Sequence, residues 1–230
     1  KIAVEQVSKG QAAALVTNPV HKANLYRAGF SHPGHTEFLA DLASVKTEPV
    51  MMLASNRLRV VPVTRHLELS AAISTLSESL IIKTAEITAR ALQRDFGIAS
   101  PRIAIAGLNP HAGEAGQLGH EEAEWLLPLL DQWRKDHPQV QLEGPVPPDT
   151  CWISAARAWQ TPNQPGPDGI LALYHDQGLI PVKLLAFDAA VNTTLELPFL
   201  RTSPDHGTAF DIAAEGIASP KSTTAAIQAA

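Results

Sequence analysis

Short apolar runs recur along the chain, and polar or turn-forming residues follow each of them. The run at 103–106, Ile-Ala-Ile-Ala, is apolar on both faces of an extended chain. Strands of a parallel sheet that is covered by helices on both sides show this pattern. We predict a strand there, and further strands from the runs at 12–16, 50–54, 58–63, 170–174 and 191–195.

Helical spacing of apolar residues is clearest at 79–96, where Gly97 provides a suitable C-terminal end. Thr36 and Asp149 are the expected N-caps of two helices, and Pro128 predicts a kink in a third. The predicted shorter helices are 21–28, 37–43, 69–76, 121–135, 149–159 and 208–214. Loops or polar strand exits are predicted at 30–37, 160–168, 177–183 and 199–207. Strands that alternate with helices in this way are typical of the α/β class.

A histidine follows three of the apolar runs. The run at 103–106 leads to His111, the run at 58–63 leads to His66, and the run at 170–174 leads to His175. The carboxyl edge of an open α/β sheet is where ligands bind, and three histidines with one open position form a known catalytic zinc site. The alternative is three unrelated loop histidines, because spacing this wide is not a motif in itself.

Other polar residues also lie near predicted strand ends. His35 and Thr36 belong to a polar loop that either cradles an anionic group or caps the next helix. Three more polar residues lie on successive segments where the chain is predicted to leave a strand: Lys183, Asn192 and Arg201. Arginine suits bidentate contacts to phosphate or carboxylate. Each residue alone is more often a surface residue. Together with the histidines they suggest a small anionic substrate near a metal ion.

Composition narrows the choice of partners and compartment. The chain has 230 residues, enough for one large domain or two small ones, with 45% hydrophobic and 18% charged residues. The formal net charge of -5 disfavours a nucleic-acid partner. The single cysteine, Cys151, suits a reducing compartment, so we expect a cytoplasmic protein. We expect no membrane contact, because no apolar run approaches the roughly 20 residues that cross a bilayer, and no signal peptide is visible.

Several widespread catalytic motifs are missing from the sequence. It contains no Gly-x-Gly-x-x-Gly dinucleotide fingerprint, no Walker loop and no His-Glu-x-x-His helix. It also lacks a Gly-x-Ser-x-Gly nucleophile elbow. The polar strand-end loops therefore remain the main candidates for a functional site.

Five short motifs, in order, resemble those of one enzyme family. They are Thr-Asn-Pro-Val-His-Lys at 17–22, Gly-His-Thr-Glu-Phe at 34–38, Gly-Leu-Asn-Pro-His-Ala-Gly-Glu at 107–114, Tyr-His-Asp-Gln at 174–177 and Arg-Thr-Ser-Pro-Asp-His-Gly-Thr-Ala at 201–209. Together they resemble the 4-hydroxythreonine-4-phosphate dehydrogenase family of vitamin B6 (pyridoxal phosphate) biosynthesis. The resemblance covers essentially the whole chain.

The resemblance implies an oxidoreductase that uses NAD or NADP. It oxidises 4-hydroxy-L-threonine 4-phosphate to 2-amino-3-oxo-4-phosphooxybutanoate, which then loses carbon dioxide to give 3-amino-2-oxopropyl phosphate. The implied fold is an α/β/α sandwich like that of isocitrate and isopropylmalate dehydrogenases, which bind NAD without the glycine fingerprint. Two α/β lobes with the active site between them are expected, and the sequence leaves their boundary open.

The resemblance also implies roles for individual residues. Three histidines match ligands of a divalent metal ion, with zinc expected and magnesium or cobalt as alternatives: His66, His111 and His175. The site is expected to be shared across a homodimer, with the first two from one chain and the third from the other. The residues that match substrate contacts are His35, Thr36, Lys183, Asn192 and Arg201. Lys183 or Asp176 assists proton transfer, and the NAD-binding residues are not identified.

Family members normally carry more chain at the N-terminus, including a Gly-rich loop, and this segment is expected to be missing here. Three other functions remain open. The first is a dehydrogenase of a four-carbon acid-sugar phosphate, threonate or erythronate 4-phosphate. The second is a metal-dependent hydrolase that uses the same histidines, and the third is an inactive, dimer-forming scaffold.

Overall fold

Helices and strands alternate along the chain, in agreement with the predicted α/β class. A computed structural model describes residues 1–32, 34–161 and 163–230. The helices are α1 (Ile2–Ser8), α2 (Lys22–Arg27), α3 (His35–Leu42), α4 (Leu69–Thr75), α5 (Glu78–Arg94), α6 (Leu127–Asp136), α7 (Ile153–Gln160), α8 (His175–Ala186) and α9 (Lys221–Gln228). The strands are β1 (Ala14–Val16), β2 (Val50–Ser55), β3 (Leu58–Pro62), β4 (Arg102–Ala106), β5 (Gln141–Val146), β6 (Gly169–Ala172), β7 (Val191–Leu195) and β8 (Leu200–Pro204). Pro33 and Pro162, which belong to predicted loops, lie outside the described residues.

The chain forms two compact units. The first unit combines Lys1–Met51 with Phe187–Ala230, and the second unit is the continuous segment Met52–Ala186. The chain therefore leaves the first unit, builds the second and returns. Among the described residues, no helix combines the length and apolar character needed to cross a lipid bilayer.

The second unit contains a mostly parallel sheet with the strand order β2-β3-β6-β4-β5. β3, β6, β4 and β5 run in the same direction, and β2 forms an antiparallel hairpin with β3. The central strands are almost fully buried, which explains why their sequences are continuous apolar runs. Side chains at most 1% exposed include Val60, Val61, Ile103, Ile105, Ile170 and Leu171. The long helix α5 starts at the N-cap Ser77, whose Oγ accepts a hydrogen bond from the Leu80 amide at 3.3 Å.

The first unit contains three strands in the order β1-β8-β7. β1 and β8 are parallel, whereas β8 and β7 are antiparallel. A small apolar core joins α1, α3 and the chain after β7, and its buried members are Val4, Leu39, Ala40 and Leu197. Phe199, which immediately precedes β8, packs against the same core, so the core links α3 to the segment between β7 and β8.

The predicted strands are found close to their expected positions, but two strands were not predicted. β5 includes Gly144 and Pro145, which favour a turn in the sequence. β5 is at the edge of the second unit's sheet, where proline is tolerated because one side of the strand needs no ladder partner. β8 includes the polar residues Arg201 and Ser203, and the prediction of a loop-like exit there is wrong.

Several helix predictions also need correction. The segment 177–183 was expected to be a loop, but it is the interior of α8. The expected helix at 208–214 is only a 3₁₀ turn, Phe210–Ile212. The predicted helix at 121–135 begins as a π-helical turn, Glu122–Leu126, and continues as α6, so regular α-helical geometry is interrupted just before Pro128. α1 and α9 were not predicted.

The two expected N-caps are wrong as well. The N-cap of α3 is Gly34, and Thr36 lies inside the first turn of the helix. The N-cap of α7 is Trp152, so Asp149 does not begin that helix. Neither N-cap residue forms a side-chain capping hydrogen bond.

Candidate active site

Three neighbouring parallel strands of the second unit end just before the three predicted histidines. β3 leads to His66, β6 leads to His175 and β4 leads to His111. Because the strands run in the same direction, their carboxyl ends lie at one edge of the sheet. The prediction that the histidines follow strands at one sheet edge is confirmed, whereas their role as ligands stays a prediction.

Two of these histidines meet within one chain. The ring centroids of His66 and His175 are 5.3 Å apart, and their planes are tilted by 46°. Both rings border a cavity of about 220 Å³, which is also lined by Leu69 and Tyr174. With zinc–nitrogen distances of about 2.0–2.1 Å, two rings on one tetrahedral ion would have their centroids roughly 5 Å apart. The observed pair therefore fits a shared divalent ion.

A carboxylate orients one ring of this pair. The Nδ1 atom of His175 lies 2.7 Å from Oδ1 of Asp176. An ionised carboxylate can only accept a hydrogen bond, so Nδ1 donates the proton and Nε2 is the ring nitrogen left to face a metal ion. Metal-binding histidines are held in this way by carboxylates that accept from the other ring nitrogen. Asp176 is thus engaged with His175, which competes with the proton-transfer role expected for it.

His111 is placed differently. It lies exposed in the segment Pro110–Gly116, and its backbone has a left-handed φ of 51°. Within residues 1–32, 34–161 and 163–230, no three or more His, Cys, Asp or Glu side chains are grouped to hold a metal ion. Within one chain, His66 and His175 therefore lie together, and His111 is not grouped with them. This differs from the expected division, in which His66 and His175 lie on different chains.

A buried arginine forms a second cluster, in the first unit. Arg201 in β8 is only 4% exposed. Its Nη1 donates to Oγ1 of Thr194 at 2.8 Å, and its Nη2 donates to Oγ1 of Thr17 at 2.7 Å. Among the described residues, the buried Nε has no hydrogen-bond partner. A guanidinium with an unused donor is suited to an anionic ligand.

Electrostatic interactions show which residues face Arg201. Burial lowers the pKa of Arg201 to about 10, and the nearby carboxylate of Glu37 partly opposes this change. Burial also lowers the pKa of His35, and the charge of Arg201 lowers it further. At neutral pH the cluster therefore has a charged guanidinium beside a neutral imidazole. The start of α3, which carries His35, Thr36 and Glu37, therefore lies near Arg201. The role of these residues in substrate binding stays a prediction.

The two remaining residues that were predicted to contact substrate, Asn192 and Lys183, belong to different units. Asn192 precedes Thr194 by two positions in β7, and alternate residues of a strand point to the same side. Asn192 therefore shares the face on which Arg201 contacts Thr194. Lys183 belongs to the second unit and lies in α8. The expectation that Lys183, Asn192 and Arg201 occupy successive strand exits is wrong, because they lie inside one helix and two strands.

Sequence reasoning missed several residues that complete the two clusters. Thr17 follows the first predicted strand, and this position is the signal that could have identified it. Glu37 belongs to the same motif as His35, but its interaction with Arg201 depends on the fold. The side chains of Gln177 and Glu122 are buried beneath the histidine loops, and no periodic pattern marks them as functional.

Comparison with solved structures gives the class of this fold. The structure is similar to isocitrate dehydrogenase from Methylococcus capsulatus, with a TM-score of 0.52 and 13% identity over 93% of this chain and 66% of the other. At this identity the likeness shows the fold alone. The predicted class, α/β with an isocitrate dehydrogenase-like fold, is confirmed.

Closer relatives identify the family. Residues 1–230 match the family model described as Pyridoxal phosphate biosynthetic protein PdxA. The 4-hydroxythreonine-4-phosphate dehydrogenase of Bradyrhizobium diazoefficiens is 54% identical over 231 residues, which are 99% of this chain and 64% of that protein. The crystal structure of 4-hydroxythreonine-4-phosphate dehydrogenase from Klebsiella pneumoniae gives a TM-score of 0.85 and 41% identity, over 99% of this chain and 66% of that chain. The chain therefore belongs to the PdxA family and spans about two thirds of these relatives.

Proposed function

We propose that this chain carries most of the active site of a 4-hydroxy-L-threonine 4-phosphate dehydrogenase. The enzyme oxidises the substrate's secondary alcohol with NAD, or NADP, to 2-amino-3-oxo-4-phosphooxybutanoate. This product decarboxylates to 3-amino-2-oxopropyl phosphate in vitamin B6 biosynthesis. Membership of the PdxA family supports the proposal. A cytoplasmic location stays a prediction that rests on the single cysteine.

The observation that carries the proposal is the pair of His66 and His175 beside Asp176. Neutral imidazoles suit zinc and cobalt, whereas magnesium prefers oxygen ligands, so we propose zinc with cobalt as a substitute. When bound, the ion would polarise the substrate hydroxyl and then the carbonyl that replaces it, and the nicotinamide would accept the hydride. Asp176 would hold His175 with its Nε2 directed to the ion.

Residues of the first unit would bind the anionic part of the substrate. Arg201 keeps its charge at neutral pH, and its two threonine contacts fix the guanidinium plane before substrate arrives. His35, Thr36 and Asn192 would supply neutral polar contacts on the same side. A guanidinium that is held in this way favours a phosphate over a neutral group, because its hydrogen bonds to phosphate would be charge-assisted.

Lys183 is the residue we propose for proton transfer. It lies on α8, the helix that starts with His175, at a distance of roughly 12 Å along the helix axis. Lysine is one of the side chains that enzymes use as a general acid or base. Lys183 would then accept the proton of the substrate hydroxyl, while Asp176 remains bound to His175.

A homodimer would complete the metal site. In the described part of one chain, His66 and His175 lie together but no third histidine, cysteine, aspartate or glutamate is grouped with them to hold a metal ion. We therefore propose that His111 of the partner subunit is the third ligand. α8 also exposes large apolar side chains, Ile180 at 64% and Leu184 at 83%. Exposed apolar groups of this size on one helix favour burial against a second copy. The twofold symmetry would create two equivalent sites.

Measurement of NADH formation tests this function. The zinc-loaded protein is assayed with NAD and three substrates, 4-hydroxythreonine 4-phosphate, threonate 4-phosphate and erythronate 4-phosphate. We expect the highest kcat/KM for the first, with loss of activity after chelation and recovery after zinc is restored. His175→Ala should abolish the activity, whereas His137→Ala, which removes a histidine stacked on Trp133 at the end of α6, should preserve it.

Two outcomes would contradict the proposal. A higher kcat/KM for a sugar-acid phosphate would identify the enzyme as that dehydrogenase instead. Zinc-dependent turnover of the phosphorylated substrate without NAD reduction would indicate the hydrolase. Either result would keep the histidine pair as a metal site but change the reaction that it supports.

A further inference from the structure

The three loops that carry the histidines are joined by buried polar contacts. Oγ1 of Thr64, next to the His66 loop, donates to the carbonyl of Leu173 at 2.8 Å, and the Thr64 amide contacts the same carbonyl at 3.3 Å. Leu173 immediately precedes the turn that leads to His175. The loops after β3 and β6 are therefore fixed to each other by contacts other than the regular sheet ladder.

Gln177 extends this connection to the third loop. Its side chain is buried, at 7% exposure, beneath the start of α8. Oε1 accepts a hydrogen bond from the Leu173 amide at 2.6 Å, and Nε2 donates to the carbonyl of Gly107 at 2.7 Å. One amide side chain thus connects the turn before His175 to the start of the loop that carries His111. Gln177 needs both its donor and its acceptor for this role.

Glu122 holds the same loop from its other side. Its side chain, 4% exposed, accepts hydrogen bonds through Oε1 from the amides of Leu108 and Asn109, each at 2.7 Å. Oε2 accepts from Nδ2 of Asn109 at 2.9 Å. The loop also folds closely around this carboxylate, since a Cβ added to Gly113 would lie 2.9 Å from Oε2. Charge-assisted contacts of this kind are stronger than neutral ones.

We propose that Gln177 and Glu122 are positioning residues that set the loops of His175 and His111 for metal binding. The proposal rests on the proposed function, because it assumes that these histidines bind a divalent ion. Their hydrogen bonds go to loop backbone groups that regular secondary structure leaves unpaired, so removing them frees the loops rather than weakening a strand or helix. Neither residue contacts the cavity beside His66 and His175, so their effect is exerted through the loops.

Cobalt binding tests this inference without reference to turnover. Co²⁺ is titrated into metal-free wild type, Gln177→Met and Glu122→Gln by calorimetry, and the visible absorption band of the bound ion is recorded. Changes to groups that orient metal ligands typically weaken binding about 10- to 100-fold. We expect a loss in that range for Gln177→Met, together with an altered cobalt spectrum. Glu122→Gln, which keeps the shape of the side chain, is the second variant if Gln177→Met does not fold.

Asp168→Asn is the matched control. The Asp168 carboxylate also accepts a backbone amide, that of Arg102 at 2.8 Å, but at the amino end of β4, opposite the histidines. We expect this variant to lose thermal stability like the others and to bind Co²⁺ as wild type does. Affinity and spectrum that are unchanged in Gln177→Met, or an equal loss of affinity in Asp168→Asn, would overturn the inference. Failure of the wild type itself to bind Co²⁺ would instead reject the proposed metal site.

Discussion

At the scale of single residues, Arg201 is a buried charge in a position that suits the anion we propose it binds. Two threonine hydroxyls hold its guanidinium, while burial lowers its pKa only to about 10. The group therefore stays charged at neutral pH even though it is almost completely buried. Arginine is better suited to this position than lysine, because its planar fork satisfies the threonines and still offers a donor.

Arg201→Lys tests this reading. Lysine keeps the charge but cannot reach both threonines and an anion at once. Loss of one charge-assisted hydrogen bond, worth about 1.5–3 kcal/mol, corresponds to a drop of roughly 10- to 100-fold in kcat/KM for the phosphorylated substrate. Arg157→Lys, at an exposed position of α7, is the control and should leave kcat/KM unchanged. Equal kcat/KM for wild type and Arg201→Lys would show that Arg201 does not bind substrate.

The lowered pKa of His35 predicts that the stability of the folded protein depends on pH. Its pKa in the folded protein is lowered, first by burial and then by Arg201, so the unfolded chain binds the proton more readily. Stability is therefore lost as pH falls from about 6.5 toward the folded-state pKa. Urea unfolding at several pH values should show wild type losing more stability on acidification than His35→Gln. Parallel curves for the two proteins would contradict the lowered pKa.

The three histidines can be predicted from their positions in the sequence, but the residues that hydrogen-bond to the histidine loops cannot. His66, His111 and His175 are recognisable because each follows an apolar run. Gln177 and Glu122 are not, because their partners are backbone groups of loops distant in sequence. The contribution of such residues depends on tertiary contacts, which neither periodicity nor composition records.

At the scale of secondary structure, α8 is the element that sequence reasoning misjudged. The segment 177–183, which contains Gly178 and Pro181, is predicted as a loop, yet both residues lie inside a helix. Gly178 is explained by close packing, since a Cβ there would lie 2.9 Å from Cβ of Ala172 and from Cγ1 of Val60. The glycine lets α8 approach the sheet and brings His175 to its edge. Proline is tolerated because packing of the helix on the sheet compensates for the lost hydrogen bond.

Gly178→Ala tests this packing. Alanine improves helix propensity by about 1 kcal/mol, but overpacking a rigid core costs about 1–3 kcal/mol. Because both neighbours belong to buried strands, we expect a net loss of stability in thermal unfolding. Gly207→Ala, with no atom within 4 Å of the added carbon, is the control and should change stability little. Unchanged or higher stability of Gly178→Ala would show that α8 has room to move.

At the scale of the whole molecule, the sequence predicts the class of fold but not the arrangement of the chain. The central strands are readable because parallel strands are apolar on both faces. β8 is not readable in this way, because its buried polar side chains find partners from other elements; Oγ1 of Thr202, for example, donates to the carbonyl of Ala226 at 2.7 Å. The sequence likewise contains no local pattern that predicts where the chain returns from the second unit to the first.

The proposed division of metal ligands between two subunits also belongs to this scale. The structure pairs His66 with His175 in one chain, so His111 is the ligand that we assign to the partner subunit. This assignment predicts different results for two mixtures of inactive variants. Each variant, His66→Ala, His111→Ala or His175→Ala, should be inactive alone because every site in its homodimer lacks a ligand.

The most direct measurement is NADH formation after subunit exchange. Mixing His66→Ala with His111→Ala makes about half of the dimers mixed, each with one intact site, so roughly a quarter of wild-type activity should return. Mixing His66→Ala with His175→Ala should restore nothing, because both residues serve the same site from the same chain. The account would be contradicted if the first mixture stayed inactive after proven exchange, or if the second recovered activity.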